Sequence, residues 1–345
     1  MASAAFGVYL DGMHSERPDH HTERGFRNPP GSPVRQSERR AYWRFVWRRI
    51  LKAQHRPAVP FDHALSANET LAGLAAHARL DSVTWLGHAA FLLRLAGRTI
   101  LLDPYLGEFA SPVPGFGPRR FAKPALRAEH LPPIDTLIVS HNHYDHLCAP
   151  TVRALAGKRH MQVVVPLGLA RFFRRRGYRH VHELDWHQHV DLEGLRVRAL
   201  PAVHWSKRTP FDRNRSLWAS FALTTPERRV WFAGDTGFGP VFEELGSKYG
   251  PFDLALVPIG AYAPRHIMEA HHATPEEALR IAELMGARHV IGMHWGTVVL
   301  TDEHPFEPPE RFRRAARHSS YGDERAWLLR IGETRPIPER WPANA

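Results

Sequence analysis

Cysteine is nearly absent: Cys148 stands alone among 345 residues. A disulfide framework is excluded, and so is a metal site built on several thiolates. Any metal must be held by His, Asp or Glu, and Cys148 itself is expected to pack as a small hydrophobe. Long apolar runs are missing too. No stretch approaches the roughly 18 residues of a spanning helix, so none is expected. Residues 1–20 lack a basic start, and Asp11 breaks their short apolar patch. They make a poor signal peptide, and a cytoplasmic protein is the expectation. Acidic residues are outnumbered, 35 Asp and Glu against 46 Lys and Arg, for a formal charge of +11 and a pI near 10.3. That balance favours phosphate-bearing partners: nucleic acid, an anionic membrane or a phosphorylated substrate. The arginines are scattered, however, and only residues 171–176 form a basic tract, so no nucleic-acid partner is expected. A scattered excess also suits an ordinary solvated surface.

What is present in quantity is histidine, 24 residues in all, within a chain that is 43% hydrophobic and able to bury a sizeable core. The histidines gather in one stretch, His141-Asn142-His143-Tyr144-Asp145-His146, directly after the apolar run 134–139. Residues two apart in extended chain face the same side, so His141 and His143 can reach one ion. Asp145 and His146 follow a turn and approach from another direction. Imidazole and carboxylate donors suit zinc and its first-row neighbours.

Later candidates repeat the placement. His204, Asp235 and His294 each sit just past an apolar strand-like run. Ligands at strand ends are held by a rigid scaffold. The count fits two metals. His141, His143 and His204 would hold one, Asp145, His146 and His294 the other, and Asp235 would bridge. Two positive charges would lower the pKa of a shared water and stabilise charge on a phosphoryl or carbonyl oxygen. Asp145 is also a candidate catalytic group, orienting that hydroxide through its second oxygen. His160, His180, His182, His187 and His189 lack this context and are expected at the surface.

Around the site, residues 1–38 read as an irregular arm, and 39–345 as one domain with no internal boundary. An amphipathic helix near 42–52 carries Trp43, Val46 and Trp47 at helical spacing with arginines between. It either docks on the domain or lies on an anionic membrane surface. Strands are expected at 82–86, 90–95, 99–103, 162–166, 195–200, 217–223, 229–233, 253–257 and 289–293, with a long loop over 104–133. Helices are expected near 151–156, 169–176 and 275–285, the last capped by Thr274. Strands and helices in two comparable halves describe an α/β protein of two packed sheets with helices outside.

The histidine motif with its later His, Asp and His resembles the metallo-β-lactamase fold superfamily of hydrolases. Longer stretches resemble its N-acyl phosphatidylethanolamine phospholipase D-like family. They are residues 26–29 (FRNP), 84–88 (TWLGH), 131–135 (LPPID), 232–237 (FAGDTG), 259–262 (IGAY), 275–278 (PEEA) and 294–297 (HWGT). The resemblance runs from about residue 24 to about 310. It implies a four-layer αβ/βα sandwich, two zinc ions, and phosphodiester hydrolysis on phospholipids that releases phosphatidic acid. The seven residues above would be its metal ligands, and His272 matches a histidine near the family's active site. Mn²⁺ or Fe²⁺ would fit the same ligands.

The resulting expectation is a dinuclear phosphodiesterase of phospholipase D type acting on N-acyl phosphatidylethanolamine-like lipids. Metal-bridged hydroxide would attack phosphorus in line, with peripheral membrane contact possible. Tyr262 and Arg265 are candidates to meet the phosphate or leaving group, since Arg can pair bidentately with phosphate oxygens. A lactonase or other ester hydrolase of the same fold is the alternative, and a nucleic-acid processing enzyme a more distant one.

Overall fold

The computed structural model describes residues 18–36, 39–51 and 56–339. A short hairpin, β1 (His21–Thr22) and β2 (Gly25–Phe26), precedes helices α1 (Arg39–Leu51) and α2 (Ala67–Ala76). Strands β3 (Ser82–Gly87), β4 (Ala90–Leu95), β5 (Arg98–Leu102) and β6 (Thr136–Ile138) follow. Next come α3 (Ala149–Ala154), β7 (Gln162–Pro166), α4 (Ala170–Arg174) and β8 (His180–Leu184). The second half holds β9 (His189–Leu192), β10 (Leu195–Leu200), β11 (Ser220–Thr224), β12 (Arg229–Phe232), α5 (Val241–Tyr249) and β13 (Phe252–Pro258). It continues with α6 (Arg265–Met268), α7 (Pro275–Leu284), β14 (Ala287–Met293), α8 (Glu307–Arg317), α9 (Gly322–Arg325), β15 (Ala326–Trp327) and β16 (Thr334–Pro336).

Two seven-stranded sheets result, ordered β16-β3-β4-β5-β6-β7-β8 and β15-β14-β13-β12-β11-β10-β9. In each, consecutive hairpins make an antiparallel part, and strands joined through long connections run parallel, β5 to β8 and β12 to β15. The central parallel strands β6 and β13 are buried along their whole length, as strands covered on both faces are. Period two sorts the side chains. Phe91, Leu93 and Leu95 of β4 and Val164 of β7 point into the core between the sheets. Leu92 of β4 and Val163 and Val165 of β7 point outward, against Val152 of α3 and Phe173 of α4. On the other side Ala278, Leu279 and Ile281 of α7 and Phe312 of α8 join the core of the second sheet. The layers are helix, sheet, sheet, helix: the expected αβ/βα sandwich. The final strand β16 returns to pair antiparallel with β3.

Thr274 caps α7 with a reciprocal capping box to Glu277, as its sequence implies. The arm departs from its irregular reading. Residues 18–28 fold into the hairpin and pack on the body, with Phe26 N–H donating to Asn214 O at 2.9 Å. Residues 1–17 lie outside the described set. Among the surface histidines, His189 is instead buried in β9, and His187 pairs its Nδ1 with the Tyr249 hydroxyl at 2.9 Å. Cys148 is buried beside Tyr105 and Val298. Among the described residues no helix is long and apolar enough to cross a membrane.

Candidate metal centre

The functional side chains gather where strands end. The histidine motif follows β6, His204 follows β10, Asp235 follows β12 and His294 follows β14. His88 after β3 and Asp103 after β5 join them. Three of these residues leave their strands with positive φ, His88 at 57°, Asp103 at 36° and His294 at 64°. Such backbone costs non-glycine residues about 1–3 kcal/mol each, and it turns the side chain sharply off the strand direction. Two glycines let the segments close. A Cβ on Gly260 would meet the His294 carbonyl oxygen at 2.1 Å, and one on Gly234, with φ 61°, would meet Ser140 Cβ at 2.7 Å.

The donor atoms form two adjoining groups, His141–His143–His204–Asp235 and His88–Asp145–His146–His294. In the first, His143 Nδ1 lies 2.8 Å from His141 Nε2 and 3.2 Å from His204 Nε2. Asp235 Oδ2 is 3.9 and 3.7 Å from the same His141 and His204 nitrogens. In the second, Asp145 Oδ2 lies 2.9 Å from His88 Nε2, 3.6 Å from His146 Nε2 and 3.5 Å from His294 Nε2. Asp235 reaches this group as well, 3.0 Å from His146 Nε2 through Oδ2 and 3.2 Å from His294 Nε2 through Oδ1. One carboxylate therefore touches both groups, the position expected for a bridge.

The chemistry of these atoms fits metal ions. His146 Nε2, His294 Nε2 and Asp235 Oδ1, three of the converging atoms, are buried with no hydrogen-bond partner among the described residues. Approaches of 3.0–3.2 Å without hydrogen-bond alignment are those of donors aimed at a common point. Buried polar atoms left this way are costly unless something satisfies them. The far sides of the rings are occupied. His146 Nδ1 pairs with Asp103 Oδ2 at 2.6 Å, and Asp103 also accepts from the Ser140 amide at 2.7 Å and hydroxyl at 2.5 Å. His141 Nδ1 meets Ser140 Oγ at 2.9 Å, and His204 Nδ1 donates to His271 O at 2.9 Å. These outer contacts orient the rings and leave Nε2 inward.

Electrostatics agree. Burial holds His204 neutral, its pKa lowered to about 4, and burial with repulsion from His294 lowers His88 to about 3. Burial would raise the Asp235 carboxyl, but His146 and His294 outweigh it and hold it well below the usual range. Burial likewise opposes ionisation of Asp145, and the neighbouring histidines keep it ionised. The same carboxylates hold His146 well above its ordinary value and His294 at about 9 against burial, so these two rings carry protons that a bound cation would displace, whereas His204 is already in the neutral form that ligates.

His272 lies beside the cluster. It groups with Asp235 and His294, its ring centroid 5.1 Å from His204 and 5.4 Å from His294, and its Nδ1 is buried and unpartnered. Tyr262 and Arg265 have other partners. The Tyr262 hydroxyl donates to Glu307 Oε1 at 2.6 Å. The Arg265 fork holds both oxygens of Glu277, at 2.6 and 2.7 Å, and donates to the His272 carbonyl at 2.7 Å. An arginine so paired braces His272 and the start of α7 rather than facing a ligand. Sequence reasoning missed His88 and Asp103, although both sit at strand ends like the others. Above the cluster lies a cavity of about 240 Å³, lined by His143, Asp145, Asp235 and His272, with Arg35, Arg213, Phe45, Ile267 and Met268 higher up.

A two-sheet sandwich with this cluster defines a metal-dependent hydrolase of the metallo-β-lactamase fold. The family described as the beta-lactamase superfamily domain matches residues 98–295. The chain is 39% identical over 242 residues to N-acyl-phosphatidylethanolamine-hydrolyzing phospholipase D 1 of Caenorhabditis elegans, covering 67% of this chain and 68% of that protein. It is 34% identical over 258 residues to the mitochondrial N-acyl-phosphatidylethanolamine-hydrolyzing phospholipase D of Saccharomyces cerevisiae, covering 73% and 55%. A possible metal-dependent hydrolase from Veillonella parvula shares the fold, with a TM-score of 0.59 at 15% identity, over 75% of this chain and 100% of that one. The chain belongs to the β-lactamase superfamily, in its N-acyl phosphatidylethanolamine phospholipase D-like family.

Proposed function

We propose that the protein is a phosphodiesterase of phospholipase D type, with zinc as its metal and N-acyl phosphatidylethanolamine-like phospholipids as its substrates. His141, His143 and His204 would hold one ion, Asp145, His146 and His294 the other, with Asp235 shared between them. Ions bound there supply a water of lowered pKa and take up charge on a phosphoryl oxygen. The same donors accept manganese or iron, so the choice of zinc rests on imidazole-rich ligation.

The observation that carries the reading is the make-up of the cavity over the cluster. Its floor is His143, Asp145, Asp235 and His272, and the exposed arginines Arg35 and Arg213 stand with apolar Phe45, Ile267 and Met268 above. Cationic and apolar walls together suit an anionic diester with a hydrocarbon substituent. His272, kept neutral by burial, would meet a phosphoryl or leaving-group oxygen. Asp145 Oδ2 is oriented by His88 and faces His146 Nε2 and His294 Nε2 at 3.6 and 3.5 Å.

The relatives named for hydrolysing N-acyl phosphatidylethanolamine support the lipid assignment. Helix α1 supports an approach from a membrane surface. Its Phe45 lines the cavity, while Trp43 and Trp47 are 54% and 62% exposed beside Arg44 and Arg48. Arg48 ties the helix to Asp302 at 2.8 Å. The test is turnover of a panel comprising N-acyl phosphatidylethanolamine, phosphatidylcholine, a soluble aryl phosphodiester and acyl lactones. Diester cleavage that exceeds lactone cleavage supports the assignment, and the opposite order replaces it with a lactonase.

A further inference from the structure

His20 and His21 of the N-terminal hairpin aim their Nε2 atoms at one carboxylate, that of Asp185 just past β8. His20 Nε2 lies 2.6 Å from Oδ1 and His21 Nε2 lies 2.7 Å from Oδ2. The three side chains are 11%, 20% and 11% exposed, so solvent reaches the group. The orientations are fixed by packing. His20 stacks on Trp186 with centroids 4.2 Å apart, His21 meets Phe26 edge-on at 5.0 Å, and Oδ1 also accepts the Trp186 amide at 2.8 Å. The donor atoms converge within 4.8 Å.

We propose that His20, His21 and Asp185 form a separate zinc site that clamps the N-terminal hairpin to the body of the protein. Two imidazoles and a carboxylate are a ligand set zinc takes when water completes the shell. The clamp has a structural consequence. Arg27 N–H donates to the His20 carbonyl at 2.9 Å. The next residue, Asn28, accepts through Oδ1 from the His204 amide and the Trp218 indole, each at 3.0 Å. The segment fixed by the clamp thus ends on a residue that holds His204 of the central cluster. The rival arrangement is a pair of ordinary hydrogen bonds to Asp185 with no ion.

Zinc content per folded chain separates the two, independently of any substrate. It is measured by mass spectrometry after equilibration with free zinc in the wild type, His20→Gln/His21→Gln and Asp185→Asn. The amide replacements keep hydrogen-bonding groups, so a plain latch survives them. Both variants are expected to hold about one zinc equivalent fewer than the wild type, whereas Asp235→Asn keeps the clamp ion. Imidazole nitrogen resonances of His20 and His21 in the wild type give a second readout that needs no variant, and they are expected to shift on zinc addition. Equal zinc content in wild type and folded variants, or resonances indifferent to zinc, overturns the site.

Discussion

His88 and His294 come from different sheets and meet at the centre: the His294 amide donates to the His88 carbonyl at 3.0 Å, and their ring centroids are 3.9 Å apart. His88 follows β3 of the first sheet, and His294 follows β14 of the second. The pair ties the sheets together at the point where the candidate ligands converge. Through Nε2, 2.9 Å from Asp145 Oδ2, His88 also fixes the carboxylate of the second group.

Removing that hold should be costly. His88→Ala is expected to lower turnover or metal affinity about 10–100-fold, the usual cost of losing an outer contact to a ligand. His88→Gln, which can still donate, should recover part of it. Metal content and kcat measured side by side check this. Full activity in His88→Ala would show that Asp145 needs no orienting.

Asn28→Ala should destabilise the protein without touching a candidate ligand side chain. It leaves the buried His204 amide without its acceptor, a loss of about 1–3 kcal/mol. Urea unfolding at neutral pH measures it. An unchanged midpoint would mean that the amide finds another partner.

Stability should also fall on mild acidification. His187 is driven from its ordinary 6.5 to about 4 by burial, with Lys248, His20 and Arg198 adding repulsion. A histidine with a lowered folded-state pKa resists a proton that the unfolded chain accepts. Its contribution is therefore complete above 6.5 and lost as pH falls from there towards about 4. Replacing it with Gln should flatten the difference in unfolding midpoint between pH 7 and pH 5, an effect read by urea titration at both. An unaltered slope would show that His187 is not held neutral.

Trp43→Glu with Trp47→Glu should abolish flotation with anionic vesicles, since both indoles are exposed on α1. Hydrolysis of a soluble diester should stay near wild type. Unchanged flotation in the folded variant would remove the membrane-facing role of the helix.

The sandwich was legible because its strands are apolar, short and bounded by turns. The candidate cluster was legible because four donors share one stretch and three more repeat a strand-end position. Other features have no local signal. His20 and Asp185 are 165 residues apart, and only the folded chain joins them. Strands β15 and β16, of two and three residues, depend on sheet closure rather than on pattern. Arg265 reads as a phosphate binder by residue type, but Glu277 across the α7 cap takes its Nη2 with both oxygens, and the His272 carbonyl takes its Nη1. His88 was within reach, since it obeys the same strand-end rule. A single histidine after a glycine carried too little weight without its contact to Asp145.

The proposed function requires that this cluster bind the metals and that they carry hydrolysis of a phosphodiester. Metal analysis of purified wild type, His141→Ala and Asp235→Asn, combined with turnover of one phosphodiester, tests it most directly. Each variant is expected to lose metal and to lose activity by at least about 100-fold, because each removes a ligand or the bridge. Variants that keep full metal content and full turnover would contradict it.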